Sequence, residues 1–211
     1  MHAQDAPVPD SQVPQRHELL RTGRFTVYLL DIPPGQATPM HRHDLDIATA
    51  FLTDTRTVST FWHDSARIDR PRVGAVRFRA AGFTHSTANP DTSHFLAVLL
   101  VFARAQGAPD STTAGHRREC LSPQGTPCVE STTLFCLKDV CVSDVTIPSG
   151  AVWTGTAPGL VVPVTRSLWS TPTTATRALA IGTALYEPLA GVPWRNEGPI
   201  AARLIAFTVR P

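Results

Sequence analysis

The sequence predicts an all-β chain built from two similar halves, and three observations carry that expectation. Short runs rich in β-branched and aromatic residues alternate with Pro- and Gly-containing turns along the chain, which holds 19 prolines and 13 glycines. No apolar stripe at the helical period of 3.6 residues lasts more than about two turns. Segments of the first half also recur, weakly, in the second. At 211 residues, with 42% apolar residues, the chain can bury a sizeable core as one large domain or two small ones.

Taken in order, residues 1–18 are polar and proline-rich and read as a flexible N-terminal arm. Phe25–Ile32 has strand composition and stops at Pro33-Pro34-Gly35, a turn. Asp46–Leu52, Thr57–Trp62, Ala75–Arg79 and Ser93–Ala103 read as further short strands. Residues 105–118 have linker composition, so the first domain is expected over 19–104 and the second over 119–211. In the second domain Leu134–Ile147, Gly159–Trp169, Arg177–Ile181 and Ala201–Val209 continue the rhythm. Many short, closely spaced strands indicate a sandwich or barrel. The repeat sets Val27–Gly35 against Val142–Gly150, each ending in Ile-Pro-x-Gly, and Asn89–Val98 against Asn196–Ile205.

Composition excludes several function classes. A net charge of +2, with 17% charged residues scattered along the chain, gives no basic surface for nucleic acid. The longest apolar run is Phe95–Phe102, well short of a membrane-spanning helix. Met1–Pro14 lacks the basic start and apolar stretch of a signal peptide, and the opening reads as a join to a mature terminus such as Ala3-Gln4. The four cysteines, Cys120, Cys128, Cys136 and Cys141, allow three disulfide connectivities, and free thiols or zinc compete with them. Their spacing lacks the short paired knuckles of a structural zinc ribbon. The local pairs Cys120–Cys128 and Cys136–Cys141 are expected, and they imply an exported protein, periplasmic or secreted, rather than a cytoplasmic one.

All eight histidines lie in the first 116 residues. His41 and His43 are two apart, so on an extended strand both imidazoles leave the same face. With His85 from a distant strand they make three nitrogen ligands for a divalent transition metal and leave positions open for water or substrate. Gly82 lets the chain bend sharply before His85. His63 and His94 read as ordinary histidines, and His2, His17 and His116 fall in polar tails or the linker. Arg77 and Arg79 alternate on one strand and read as a solvated face, with anion capture as the sharper alternative. Asp44, Thr49 and Phe51 are candidate pocket neighbours, and Trp169 and Trp194 read as core fillers.

These segments resemble the two signature motifs of the cupin superfamily, G-x5-H-x-H-x(3,4)-E-x6-G and G-x5-P-x-G-x2-H-x3-N. The second motif matches at Gly74, Gly82, His85 and Asn89, with Ala80 in place of proline. The first matches at Gly35, His41 and His43, with its carboxylate one residue early at Asp46 and no closing glycine. The resemblance implies two tandem cupin (jelly-roll β-barrel) domains. It implies a metal held by His41, His43 and His85, with Asp46 either as a fourth ligand brought inward by a bulge or holding a ligand imidazole from behind. Iron or manganese is the expected metal, with zinc or nickel possible.

In the second half, the run Gly182–Asn196 resembles a second copy of the second motif with Trp194 at the histidine position, and Thr154–Gly159 stands opposite the His41–His43 pair. This half is expected to be a degenerate cupin without a metal. The functional expectation is a metal-dependent enzyme acting on a small molecule, by dioxygenase-like oxidation or by metal-assisted lyase or isomerase chemistry. The alternative is a non-catalytic small-molecule-binding cupin. A homodimer is possible, and neither a nucleic-acid nor a membrane partner is expected.

Overall fold

The computed structural model describes residues 6–120, 127–155, 157–171, 174–187 and 191–210. The chain is all-β and divides into two compact units, Met1–Ala105 and Gln106–Pro211.

The first unit holds β1 (Val8–Pro9), β2 (Arg16–Arg21), β3 (Phe25–Ile32), β4 (His41–His43), β5 (Ile47–Phe51), β6 (Thr57–Phe61), β7 (Ala66–Asp69), β8 (Val76–Arg79), β9 (Phe83–Ala88) and β10 (Phe95–Phe102). They form two five-stranded sheets, ordered β2-β3-β10-β5-β8 and β1-β4-β9-β6-β7. β10 is the longest apolar run of the sequence because it lies between β3 and β5, with Ala97, Val98, Leu99 and Leu100 all buried. Side chains from both sheets line one cavity.

The second unit holds β11 (Gly115–Glu119), β12 (Val129–Cys136), β13 (Val140–Ile147), β14 (Val152–Thr154), β15 (Gly159–Pro163), β16 (Ser167–Thr171), β17 (Thr174–Leu179), β18 (Leu185–Glu187), β19 (Pro193–Asn196) and β20 (Ala202–Val209). Its sheets run β11-β12-β13-β20-β15-β18 and β14-β19-β16-β17. With β11 set aside, this is the strand order of the first unit repeated, from β2 onward in one sheet and from β4 onward in the other.

The repeat reaches individual hydrogen bonds. Asn89 is buried, and its Nδ2 donates to the Ile32 and Ser93 carbonyls, each at 2.8 Å. Asn196 is buried, and its Nδ2 donates to the Ile147 and Ile200 carbonyls at 2.9 and 2.8 Å. In both units the Asn carbonyl accepts the N–H of the turn glycine, Gly35 or Gly150, at 2.8 Å. Those glycines have φ of 72° and 73°, a left-handed conformation that favours glycine. Each Asn thus ties the end of one sheet's strand to a turn leading into the other sheet.

Four expectations need correction. The N-terminal arm is built into the first unit: β1 pairs with β4, β2 pairs with β3, and Val13 and Arg16 turn inward. Residues 105–118 are more than a linker. Gln106 is buried and exchanges hydrogen bonds with Asp139, and β11 pairs with β12. Leu134–Ile147 spans a hairpin, because the chain reverses between Cys136 and Val140. Finally, with Asn89 and Asn196 as fixed points, Trp194 stands at the place of Thr87, since Trp153 pairs with Trp194 and Thr38 N–H bonds the Thr87 carbonyl. Four residues before Asn196, where His85 precedes Asn89, the chain has Val192. Val192 packs on a core that includes Trp153, Trp169 and Trp194. Trp169 and Trp194 meet edge to face at 6.1 Å, the packing expected of core fillers. Of Thr154–Gly159, Thr156 lies outside the described residues.

Cys120–Cys128 and Cys136–Cys141 are disulfides, as expected. Among the described residues no helix is long and apolar enough to cross a membrane.

Candidate metal centre

The centre lies where β4 meets β9. Strand alternation turns His41 and His43 inward and Arg42 out to solvent, and the register sets His85 directly opposite His41. Two backbone features deliver His85. Gly82, at φ 90°, makes the turn before β9, and its N–H bonds the His43 carbonyl at 2.8 Å. The Asp46 carboxylate accepts the neighbouring Ala81 N–H at 2.8 Å and so ties down the same turn.

The ligand-capable nitrogens of His41, His43 and His85 lie within 4.8 Å of one another. The Nε2 atoms of His43 and His85 are 3.2 Å apart and face each other. His41 Nδ1 donates to the Pro39 carbonyl at 2.8 Å, which leaves its Nε2 with a free lone pair. Asp46 does not join the cluster as a fourth ligand, the first of its two expected roles: it follows β4 across a turn, and its carboxylate accepts the Ala81 N–H.

The carboxylate that approaches the histidines comes instead from the N-terminal segment. Asp10 Oδ1 lies 3.2 Å from His43 Nδ1 and 3.9 Å from His41 Nε2. Asp10 also pairs with the buried Arg16, whose Nη2 lies 3.4 Å from His43 Nε2. Sequence reasoning missed both residues. The one available signal was an acid and a base six apart in a segment that otherwise reads as coil.

Burial governs the electrostatics. It lowers the pKa of His41 to about 4 and of His85 to about 3, with the Arg16 charge adding to both. His43 is pushed lower still, by burial first and then by Arg16. Burial raises the Asp10 pKa against the opposing pull of Arg16, and lowers that of Arg16. The three imidazoles are therefore neutral at neutral pH, the protonation state in which they can ligate a metal.

Asp10 Oδ1, His43 Nδ1 and His85 Nδ1 are buried without a hydrogen-bond partner, the 3.2 Å approach of the first two being off the line of a hydrogen bond. Three converging neutral nitrogens with orphaned polar atoms around them suit a divalent transition metal.

The cavity over the centre measures about 370 Å³. Phe83 stacks on His43 at 4.3 Å and Phe61 on His85 at 5.6 Å. Thr49 and Phe51 line the cavity as expected, whereas Asp44 lies outside it. His94 pairs with Asp31 at the surface at 2.7 Å, and His17 and His116 are exposed.

No family model matches the chain, and no curated protein matches its sequence. Solved structures do match in fold. The cupin 2 conserved barrel domain protein from Leptotrichia buccalis superposes with a TM-score of 0.60 at 10% identity, over 95% of this chain and 90% of that one. AerE from Microcystis aeruginosa gives 0.62 at 12% identity, over 94% and 99%. Salicylate 1,2-dioxygenase from Pseudoaminobacter salicylatoxidans gives 0.59 at 11% identity, over 96% and 75%. Taken with the strand order and the histidine-bearing β4 and β9, these likenesses establish that the chain has the cupin fold.

Proposed function

We propose that the first unit is the active half of a metal-dependent enzyme that oxidises a small molecule in the manner of a dioxygenase. The observation that carries this reading is the convergence of His41, His43 and His85, neutral and on two paired strands, at the wall of a cavity. Iron or manganese held by the three imidazoles would supply a redox-capable Lewis acid with open positions.

The chain's own residues have separable tasks. His41 is fixed in one tautomer by the Pro39 carbonyl. Asp10 places a carboxylate oxygen 3.2 Å from His43 Nδ1, and the His43 Nε2 faces that of His85. Asp46 and Gly82 fix the turn that aims His85. Phe61 and Phe83 cover two of the imidazoles and keep bulk water from their faces. The second unit, with Val192 at the place of His85 and tryptophans packed in its core, serves as scaffold. The two disulfides support an exported protein.

The test is the metal content of purified full-length protein, together with oxygen consumption on a panel of small organic acids. The reading predicts near-stoichiometric iron or manganese that His85→Ala loses. Stoichiometric metal without turnover of any acid would favour a small-molecule-binding cupin.

A further inference from the structure

We propose that Arg79 captures the carboxylate of a small, ring-sized apolar acid in the cavity beside the three histidines. This names the substrate class of the reading above and rests on that reading for the cavity being the reaction site.

Four arginines line the cavity: Arg16, Arg67, Arg77 and Arg79. Three of them already have carboxylates. Arg16 pairs with Asp10, Arg77 with Asp69, and Arg67 with Asp64 at 3.1 Å. Among the described residues Arg79 has none within ion-pairing distance. Its guanidinium is held instead over two rings, 4.9 Å from the Phe61 centroid and 4.7 Å from that of Phe83. Those are the rings that stack on His85 and His43. An exposed guanidinium without a carboxylate partner thus sits one aromatic layer from the histidine cluster.

A planar guanidinium whose fork is not engaged by an acid matches a carboxylate in two-pronged fashion. The rest of the ligand follows from the other walls. Leu30, Ile47, Phe51, Phe95 and Leu99 line the cavity with apolar surface, which favours a hydrocarbon body over a bare inorganic anion. The volume of about 370 Å³ admits one ring with short substituents. Arg79 is exposed, as the alternation along its strand predicts, and its guanidinium reaches the cavity lining by packing across Phe61 and Phe83.

The experiment is isothermal titration of the full-length protein, as purified, with benzoate, its neutral isostere benzamide, and inorganic phosphate. Metal content is measured on the same samples. The inference predicts that benzoate binds about tenfold or more tightly than benzamide or phosphate. Arg79→Gln should abolish that preference while leaving benzamide binding unchanged, and Arg72→Gln, an exposed arginine outside the cavity, should leave both unchanged. Equal affinity for benzoate and benzamide, tighter binding of phosphate, or a preference that survives Arg79→Gln would overturn it. Protein that lacks metal but keeps the Arg79-dependent preference would sink the metal reading and support this one. Protein with metal and no preference would do the reverse.

Discussion

Asp10 Oδ1 stands 3.2 Å from His43 Nδ1, so a residue of the N-terminal segment approaches one ring of the histidine cluster. Ligating histidines commonly give their second ring N–H to a carboxylate, and loss of that partner typically costs about 10- to 100-fold in metal affinity. Asp10→Ala should weaken metal retention by that order. It should also destabilise the fold by about 3 kcal/mol or more, because Arg16 would stay buried without its carboxylate. Competition with a chelator reads the first effect and urea denaturation the second. Unchanged metal affinity in Asp10→Ala would remove the residue from the centre.

Acid should weaken the metal-free protein in a defined window. The ordinary histidine pKa is 6.5, whereas His41 titrates at about 4 and His85 at about 3 in the folded chain. Between these limits the unfolded chain binds more protons than the native one, so stability falls as pH drops from about 6.5 toward about 4. The slope is up to about 1.4 kcal/mol per pH unit for each such histidine. Urea midpoints measured across that window should fall less steeply in His85→Ala than in the parent protein, and equal slopes would contradict the assignment.

The two buried asparagines should behave as a matched pair. Asn89→Ala and Asn196→Ala each leave one buried carbonyl, of Ile32 or Ile147, and one part-buried carbonyl without their donor, at about 1–3 kcal/mol for the buried group. Comparable losses in the two variants, measured by denaturation, are expected. A large loss in one and none in the other would show that the shared geometry is not a shared structural role.

Trp194 separates scaffold from centre. It is 3% exposed within the second unit's core, and Trp194→Ala should cost about 3–5 kcal/mol. Metal content should stay at the parent level, in contrast to His85→Ala. Loss of metal in Trp194→Ala would mean that the second unit takes part in ligation.

Much of this was legible in the sequence because spacing carries it. His41 and His43 two apart on a strand, and His85 three residues after a bend-forming glycine, specify their own geometry. The Ile-Pro-x-Gly turns and their asparagines marked the repeat for the same reason. What stayed hidden depended on tertiary packing. Asp46 was read by motif distance, yet the turn after β4 gives its carboxylate to the Ala81 N–H. Asp10 and Arg16 lie in a proline-rich stretch with no periodic pattern, and only the pairing of β1 with β4 brings them to the histidines. Arg79 is exposed as its strand alternation predicts, and only the fold shows that its side chain also packs across Phe61 and Phe83. Trp194 was aligned two residues out of register, and the shift is visible only once Asn89 and Asn196 are seen to make the same bonds. A slip of two keeps a residue on the same face of its strand, so the polarity pattern gave no warning.

The central claim is that His41, His43 and His85 hold a divalent transition metal. Element-specific metal analysis of purified full-length protein, beside His85→Ala, tests it most directly. About one iron or manganese per chain is expected in the parent protein and almost none in the variant. Protein that contains no transition metal, and gains none on incubation with iron, manganese, nickel or zinc, would contradict it.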